Sequence, residues 1–530
     1  MAFITTLAIA TGAIDIAYHF AFGLPLTPSG LFFRFLLFFT VAFFMYGLYH
    51  IFIYPYHFSP YRNLPAVPNP HWLWGNYVEY GNHHYSQGLD MASKHPGTPF
   101  TRFYGVMGMD QIIAETVEAN RQILQNHCYK FMKPVSVSRG FKAVIGNGIF
   151  FSEGEDHKFQ RRLLNPSFAP AHIKTLVPTF MSKIKMMIEI YDQKTANGPA
   201  VFTQVPLLSR LALDAIGETS FGVNLHAIDT EDNELVRAYH RLSAPIEEDP
   251  MFFYLNSFVP GWRHMPTASN KRMDASKAIF KNACREVLLN RVNDVYERKV
   301  EGKDRDLLSI LLKDEQHKWT VEEIENQLMT ILLAGHETTA GAVSWALLNL
   351  ARNQEIQDRL RNEIRAAFPG GTKDMTDADQ LDALKFLNNV LRETLRHSSP
   401  IPLTVREAIE DVYIEGVLIT KGTIVQISIE ALNKSTELWG PDADVFDPDR
   451  WDTPAAKNNT YGMSTFIHGA RSCLGRRLAE LEIKCILSAF ISRFKFEEAV
   501  KNQVVPQDFL ITCKPSDGLP LKVTRLAEYD

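Results

Sequence analysis

One cysteine of five stands in a tightly specified frame. Phe466, Gly469, Arg471, Cys473 and Gly475 follow the pattern Phe-x-x-Gly-x-Arg-x-Cys-x-Gly. With average residue usage such a match arises by chance in about one chain in ten thousand of this length. A helical pattern, RRLAELEIKCILSAFISRF, starts directly after Cys473. Backbone N–H groups near a helix start favour an anionic sulfur. Zinc would need three further ligands, and no cysteine or histidine lies at zinc-like spacing from Cys473. An exposed redox thiol would have no use for aromatic cover. A thiolate bound to one large planar metal complex fits the frame. Gly469 and Gly475 would let the backbone approach it, and Arg471 can reach an acidic substituent. Cys128, Cys284, Cys485 and Cys513 lack such company and read as small buried hydrophobes.

Three further groups of residues could do chemistry or hold it in place. AGHETT, Ala334 to Thr339, is a polar island in an apolar stretch. Gly335 weakens a helix locally, and the Thr338 hydroxyl can bond a carbonyl one turn back. A notch opened there would offer a carboxylate, Glu337, and a hydroxyl to a small polar molecule; taken singly, the stretch is as easily a structural kink. In LRETLRHSSPIPLTVREA, Glu393 and Arg396 share a helix face, a spacing that solvated surface pairs also show. Arg406 follows the prolines that end that helix. DVFDPDRW places Arg450 beside Trp451, where a second arginine could complete a network with Glu393, since the guanidinium fork takes two bonds to a carboxylate.

These residues need a large, mostly helical body to bring them together. From about residue 80 the periodicity is helical. The segments SFAPAHIKTLVPTFMSKIKMMIEIYDQ and ASKAIFKNACREVLLNRVNDVYERKV are amphipathic. The longest pattern, TVEEIENQ through RLRNEI, opens with a capping box at Thr320 and Glu323. Apart from that polar island it is apolar all round from Leu328 to Leu350, as a helix buried in a core must be. Strand-like runs are short: DVYIEGVLI and TIVQISI, split by the turn TKG, then LPLKVTRL. The pattern predicts a mainly α domain with small β-sheets over residues 76–530.

The N-terminus has another character. Residues 33–54 are almost wholly apolar after Arg34, long enough to cross about 30 Å of hydrocarbon. Residues 3–24 are also long enough but carry Asp15, which is costly in lipid. Residues 1–54 therefore read as a membrane anchor of one or two spans, and the proline-rich residues 55–75 as a hinge aiming the domain. Arg62 near the end of the anchor favours a cytosolic domain. The net charge of −5 argues against a nucleic-acid partner, and five scattered cysteines are no disulfide framework.

Taken together, FIHGARSCLG, ETLR, AGHETT and FDPDRW resemble the cytochrome P-450 family, the haem-thiolate monooxygenases, in order and spacing along essentially the whole chain. The resemblance implies the cytochrome P-450 fold behind N-terminal transmembrane helix or helices, with haem b bound through its iron to Cys473. By the same resemblance Phe466 packs near the sulfur, and Arg471 and Arg406 meet the haem propionates. Glu393, Arg396 and Arg450 form the structural network, and Glu337 and Thr338 the oxygen-activating pair. The family often has a Trp-x-x-x-Arg pair early in the domain; here His157 precedes Arg161. Histidine can donate as the indole does, so both remain expected propionate partners.

The implied activity is insertion of one oxygen atom of O2 into a lipophilic small molecule. Electrons would come from NADPH through an NADPH–cytochrome reductase, which the exposed helix after Cys473 (Arg476, Arg477, Lys484) could meet. An endoplasmic reticulum membrane with a cytosolic catalytic domain is the implied location. Similarity to fungal microsomal members implies a terpenoid, polyketide or alkaloid substrate, with a fatty-acid or sterol hydroxylase as the alternative. A haem-thiolate isomerase or peroxygenase, and a non-catalytic haem sensor or carrier, stay open. The expected pocket draws on residues 141–151, 249–262, the helix near Ala334, 401–404 and 510–512.

Overall fold

The computed structural model describes residues 2–22, 28–68, 70–77, 97–230, 261–297, 306–314, 319–454, 461–509 and 512–526, with residues 237, 252, 255–257, 259 and 456 besides. Two apolar helices open the chain, α1 (Ala2–Phe22) and α2 (Pro28–Leu48). The helical run Phe32–His57 is long and apolar enough to cross a membrane: an 18-residue stretch of it has a mean hydropathy of 2.0 and is almost wholly unburied.

The end of this run and the residues after it are fastened to the first sheet. Arg102, almost fully buried, donates to Pro55 O at 2.7 Å and to Asp110 Oδ1 at 2.6 Å. Ser59 Oγ donates to the same carboxylate at 2.9 Å. Gly108, at φ +73°, lies so close to His50 O that a Cβ would be 2.3 Å from it. The proline-bearing stretch up to Val67 is therefore held on the sheet by fixed contacts.

That sheet has five strands: β1 (Phe100–Tyr104), β2 (Asp110–Ala114), β3 (Phe131–Met132), β4 (Leu403–Ala408) and β5 (Ile424–Ser428). Their order is β1-β2-β5-β4-β3, with β2 and β5 parallel and the other pairs antiparallel. The helical reading of the early domain missed β1 and β2, which are short and flanked by glycines. DVYIEGVLI, read as one strand, is a hairpin of two three-residue strands. Its turn, Glu415 at φ +45° and Gly416 at φ +77°, has the primed geometry that reverses a chain in two residues.

The site is carried by helices α3 (Gly154–Leu164), α4 (Val205–Phe221), α5 (Val321–Arg352), α6 (Gln354–Ala367), α7 (Lys385–His397) and α8 (Arg476–Arg493). The capping box at Thr320 and Glu323 forms as expected and starts α5. The pattern read as one long helix breaks at Asn353 (φ −119°, ψ +75°), whose side chain bonds Asn349 O at 2.8 Å. That break separates α5 from α6. Between Leu328 and Leu350 most of α5 is buried in the main core. A C-terminal hairpin of β6 (Gln507–Phe509) and β7 (Cys513–Pro515) leans on α5 through Trp345 Nε1, which donates to Cys513 O at 2.9 Å.

Candidate active site

The cysteine loop is built so that the sulfur meets the start of α8. Gly469 has φ +73°, and a Cβ there would lie 2.3 Å from Leu124 O, so only glycine fits. Ile467 also takes a positive φ, and Cys473 N bonds Phe466 O at 2.9 Å, closing the loop on itself. Gly475 is the residue before α8, and its N–H points to the Cys473 sulfur. At Gly475 a Cβ would meet nothing nearer than Phe168 at 3.8 Å, so protein packing does not demand glycine there. The half-buried Phe466 ring carries the Arg476 guanidinium 5.3 Å from its centroid.

Cys473 is the one exposed cysteine; the other four are buried, as their lack of a frame suggested. Surrounding protein nevertheless desolvates its sulfur and pushes the thiol pKa up, against the Gly475 N–H and the Arg161 charge, which lower it. An accessible sulfur crowded by protein lies at the wall of a hollow. Among the described residues no three His, Cys, Asp or Glu side chains gather closely enough to hold a metal ion. A metal on this sulfur whose remaining ligands come from a porphyrin fits that arrangement.

Beside the hollow lies a cluster of basic side chains drawn from four segments: Lys133, His157 and Arg161 from α3, Arg406 from β4, and Arg471. Burial and then the Arg471 charge lower the Arg406 pKa to about 10. Burial, with repulsion from Arg406, lowers Lys133 to about 7. Burial, with Arg471, Lys133 and Arg161, lowers His157 to about 3. Burial also lowers Arg161 and Arg471. Glu153, paired with Arg471, is the carboxylate set against them. Arg471 also donates to Ser152 O at 2.6 Å, Arg161 to Ser472 O at 2.6 Å, and Arg406 to Thr404 Oγ1 at 2.8 Å. His157 Nδ1 is 3.2 Å from the Tyr129 hydroxyl. Three arginines and Lys133 repelling one another, with the neutral His157 as a further donor, against one carboxylate suit two further anions, so the donor set fits haem with its two propionates. Arg471, Arg406, His157 and Arg161 come together as expected. Lys133 and Glu153 were missed, and neither stands in a motif that could have marked it.

AGHETT forms no break, contrary to the notch expected there: α5 is helical throughout. Thr338 Oγ1 donates to Ala334 O at 2.7 Å and Thr339 Oγ1 to Gly335 O at 2.9 Å. Gly335 instead serves packing, since a Cβ would lie 2.7 Å from Ile216 of α4. Ala334 is exposed and Thr338 half-exposed on an otherwise buried helix, so this face borders open space. The Thr338 proton is committed to Ala334 O, which leaves its oxygen able to accept a hydrogen bond. Glu337 is held by Lys514 of β7, with Nζ 2.8 Å from Oε1. Lys514 was not anticipated; only the hairpin's docking on α5 reveals it. The loop over α5 is pinned by Gln327, which accepts from Ile149 N at 3.0 Å and donates to Gln160 of α3 at 2.9 Å. Of the expected pocket residues, 249–251, 253, 254, 258, 260, 510 and 511 lie outside the described residues.

The network of α7 closes as the sequence suggested. Glu393 and Arg396, both fully buried, make a two-pronged pair at 2.7 and 2.9 Å. Arg450 Nε reaches Glu393 at 3.5 Å and bonds Trp439 O and Asp442. The remaining capacity is filled as well: Trp451 Nε1 and Asp447 N donate to Glu393, and Arg396 donates to Asn433 O and Ala443 O. One expectation fails: Lys484 is buried and bonded to Asp382 and Asn388, because it lies on the α8 face turned towards α7, so it is no part of a docking surface. Arg476 and Arg477 are exposed.

The fold and this site define a haem-thiolate enzyme. A cytochrome P-450 family model matches residues 65–520, and the chain belongs to that family. It is 34% identical over 496 residues to cytochrome P-450 monooxygenase sphH of Aspergillus fumigatus, covering 90% of each chain. It is 30% identical over 510 residues to cytochrome P-450 monooxygenase buaD of Petromyces alliaceus, covering 93% of this chain and 92% of that one. Among solved structures, the cytochrome P450DA heme domain superposes with a TM-score of 0.74 at 22% identity, over 88% of this chain and 98% of that one. The protein is a haem b monooxygenase.

Proposed function

We propose that the chain is a membrane-anchored monooxygenase that oxidises a lipophilic small molecule in fungal secondary metabolism, supplied with electrons from NADPH by a separate reductase. Bound haem would supply the iron at which O2 is activated. Cys473 would hold that iron through its sulfur, with Gly475 N–H and the start of α8 stabilising the thiolate. Arg406, Arg471, Arg161 and His157, joined by Lys133, would bind the propionates. Thr338 would accept a hydrogen bond at Oγ1 in the cavity, and Glu337, positioned by Lys514, would relay protons towards it. Glu393, Arg396 and Arg450 would hold the backbone behind the cysteine loop. Exposed Arg476 and Arg477, with Lys158 and Arg162 around a surface depression beside Gly469, offer an acidic reductase a docking face. The endoplasmic reticulum, with a cytosolic domain, is the location that the anchor supports best.

The observation that carries this reading is the lone cysteine at a hollow flanked by an under-compensated basic cluster. Its test is Cys473→Ser. The reduced carbon monoxide complex of the wild type should show the thiolate absorption band, and the variant should lose it. A variant with an unchanged band would remove Cys473 from the ligand role.

A further inference from the structure

We propose that α1 is a second membrane span, antiparallel to α2 and fastened to it inside the bilayer by an ion pair between Asp15 and Arg34. The N-terminus and the catalytic domain then lie on the same side of the membrane. The proposal rests on α2 being the anchor.

Length, surface and charge point the same way. α1 and α2 each have 21 residues, about 31 Å of helix against about 30 Å of hydrocarbon. Thr11 and Asp15 are buried and His19 half-buried. Residues at i, i+4 and i+8 form one stripe, so the polar positions of α1 share a face. That face is turned to α2: Arg34 Nε lies 3.0 Å from Asp15 Oδ1, and the Tyr18 and Phe38 rings meet edge-on at 5.6 Å. The outward positions are apolar and exposed, among them Ile9, Ile16 and Phe20 on α1 and Leu37 and Phe44 on α2. Acyl chains are the occupant such a surface suits.

The pair is also matched in depth. Asp15 lies about 10 Å from the end of α1 at Phe22, and Arg34 about 9 Å from the start of α2 at Pro28. Antiparallel spans joined by residues 23–27 bring the two charges level, about a third of the way into the hydrocarbon. A lone charge at such depth strongly disfavours insertion, and pairing removes much of that penalty. Asp15, which alone argues against a span, becomes with Arg34 the feature that sets the register of the hairpin.

The test uses the full chain in sealed microsomes, with an epitope tag at the N-terminus and an antibody to the catalytic domain, after protease treatment from outside. Tag and domain should share one fate. A protected tag beside a digested domain would place α1 in the lumen and overturn the proposal. Release of the chain by alkaline carbonate is a separate result: it removes α2 as an anchor, and the hairpin with it. Arg34→Leu strands Asp15 and should raise the fraction of molecules with tag and domain on opposite sides by about tenfold. The double variant Asp15→Leu/Arg34→Leu and the exchange Asp15→Arg/Arg34→Asp should both restore the shared fate. An unchanged distribution in Arg34→Leu overturns the role of the pair.

Discussion

Two charged networks flank the cysteine loop, and they are built on opposite principles. Around Glu393 every charge is answered: the carboxylate receives two arginines, an indole and a backbone N–H, and Arg396 spends its remaining donors on carbonyls. Around Arg471 the charges are under-compensated: Glu153 is set against Arg471, Lys133 and Arg406, the other acceptors are neutral carbonyl and hydroxyl oxygens, and burial with repulsion drives the basic pKa values down. The first network is complete in the protein alone and can only hold structure. The second leaves net positive charge that further anions would offset, as the proposed propionate site requires. Compensation of charge thus separates a structural ion network from the proposed ligand-binding one, although both are buried and rich in arginine.

The comparison breaks most sharply at Glu393. Glu393→Ala leaves Arg396 charged, buried and unpaired, at about 3–5 kcal/mol, a large share of the 5–15 kcal/mol that holds a typical domain. The expected outcome is loss of folded protein, read as soluble yield and thermal midpoint, with or without haem. Full expression with haem intact and only turnover reduced would show that the network is not structural.

Arg406→Met should do the reverse. Removing one of the repelling cations should leave the haem-free chain at least as stable, while haem dissociates faster. A charge-assisted hydrogen bond contributes about 1.5–3 kcal/mol, so transfer of haem to an acceptor protein should accelerate by about ten- to a hundredfold. Equal destabilisation of both forms would make Arg406 another structural arginine.

Thr338→Ala touches neither network and separates holding from chemistry. Haem content and substrate binding should persist, while product formed per NADPH falls severalfold and hydrogen peroxide released rises. Unchanged coupling would leave AGHETT as a packing device centred on Gly335 and Ile216.

The contrast also explains what the sequence could reveal. Cys473, Glu393, Arg396 and Arg450 were legible because each sits in a local frame whose spacing constrains its neighbours, and local spacing is what a sequence displays. Arg471 was legible from its place in the cysteine frame, whereas Arg406, Arg161 and His157 were legible through family resemblance alone, since nothing near them in the chain says that they converge. Lys133, Glu153 and Lys514 were illegible: each reaches the site through a tertiary contact, β3 beside β4, the start of α3 against Arg471, and β7 against α5. The fold followed the same rule. The capping box and the buried α5 were readable from 3.6-residue periodicity. The first two strands and the break at Asn353 were not, because short strands and single-residue breaks leave too little pattern. Lys484 was misread because a cation on an amphipathic helix looks solvated until its partner, Asp382, is brought across from another element.

The finest test of the contrast is the pH dependence of the haem-free chain, because it reads the unanswered charge without mutating the cysteine loop. Unfolded, the Lys133 ammonium keeps its proton up to the ordinary lysine value of 10.5; folded, it releases it near 7. Between these values the unfolded state binds more protons, so stability rises with pH across that window. The destabilising contribution is fully present below pH 7 and is relieved as pH climbs towards 10.5. His157, lowered from 6.5 to about 3, adds the same sign of slope between those values. Denaturant unfolding of the haem-free wild type should therefore show stability climbing from neutral to mildly alkaline pH, and Lys133→Met should flatten that rise. Haem should flatten it too, since the propionates favour the charged lysine and return its folded pKa towards the unfolded one. The Glu393 network predicts no such coupling to haem, because no charge in it awaits a partner. A slope that survives Lys133→Met, or that haem leaves untouched, would mean that the basic cluster is answered within the protein after all, and the distinction between the two networks would fall.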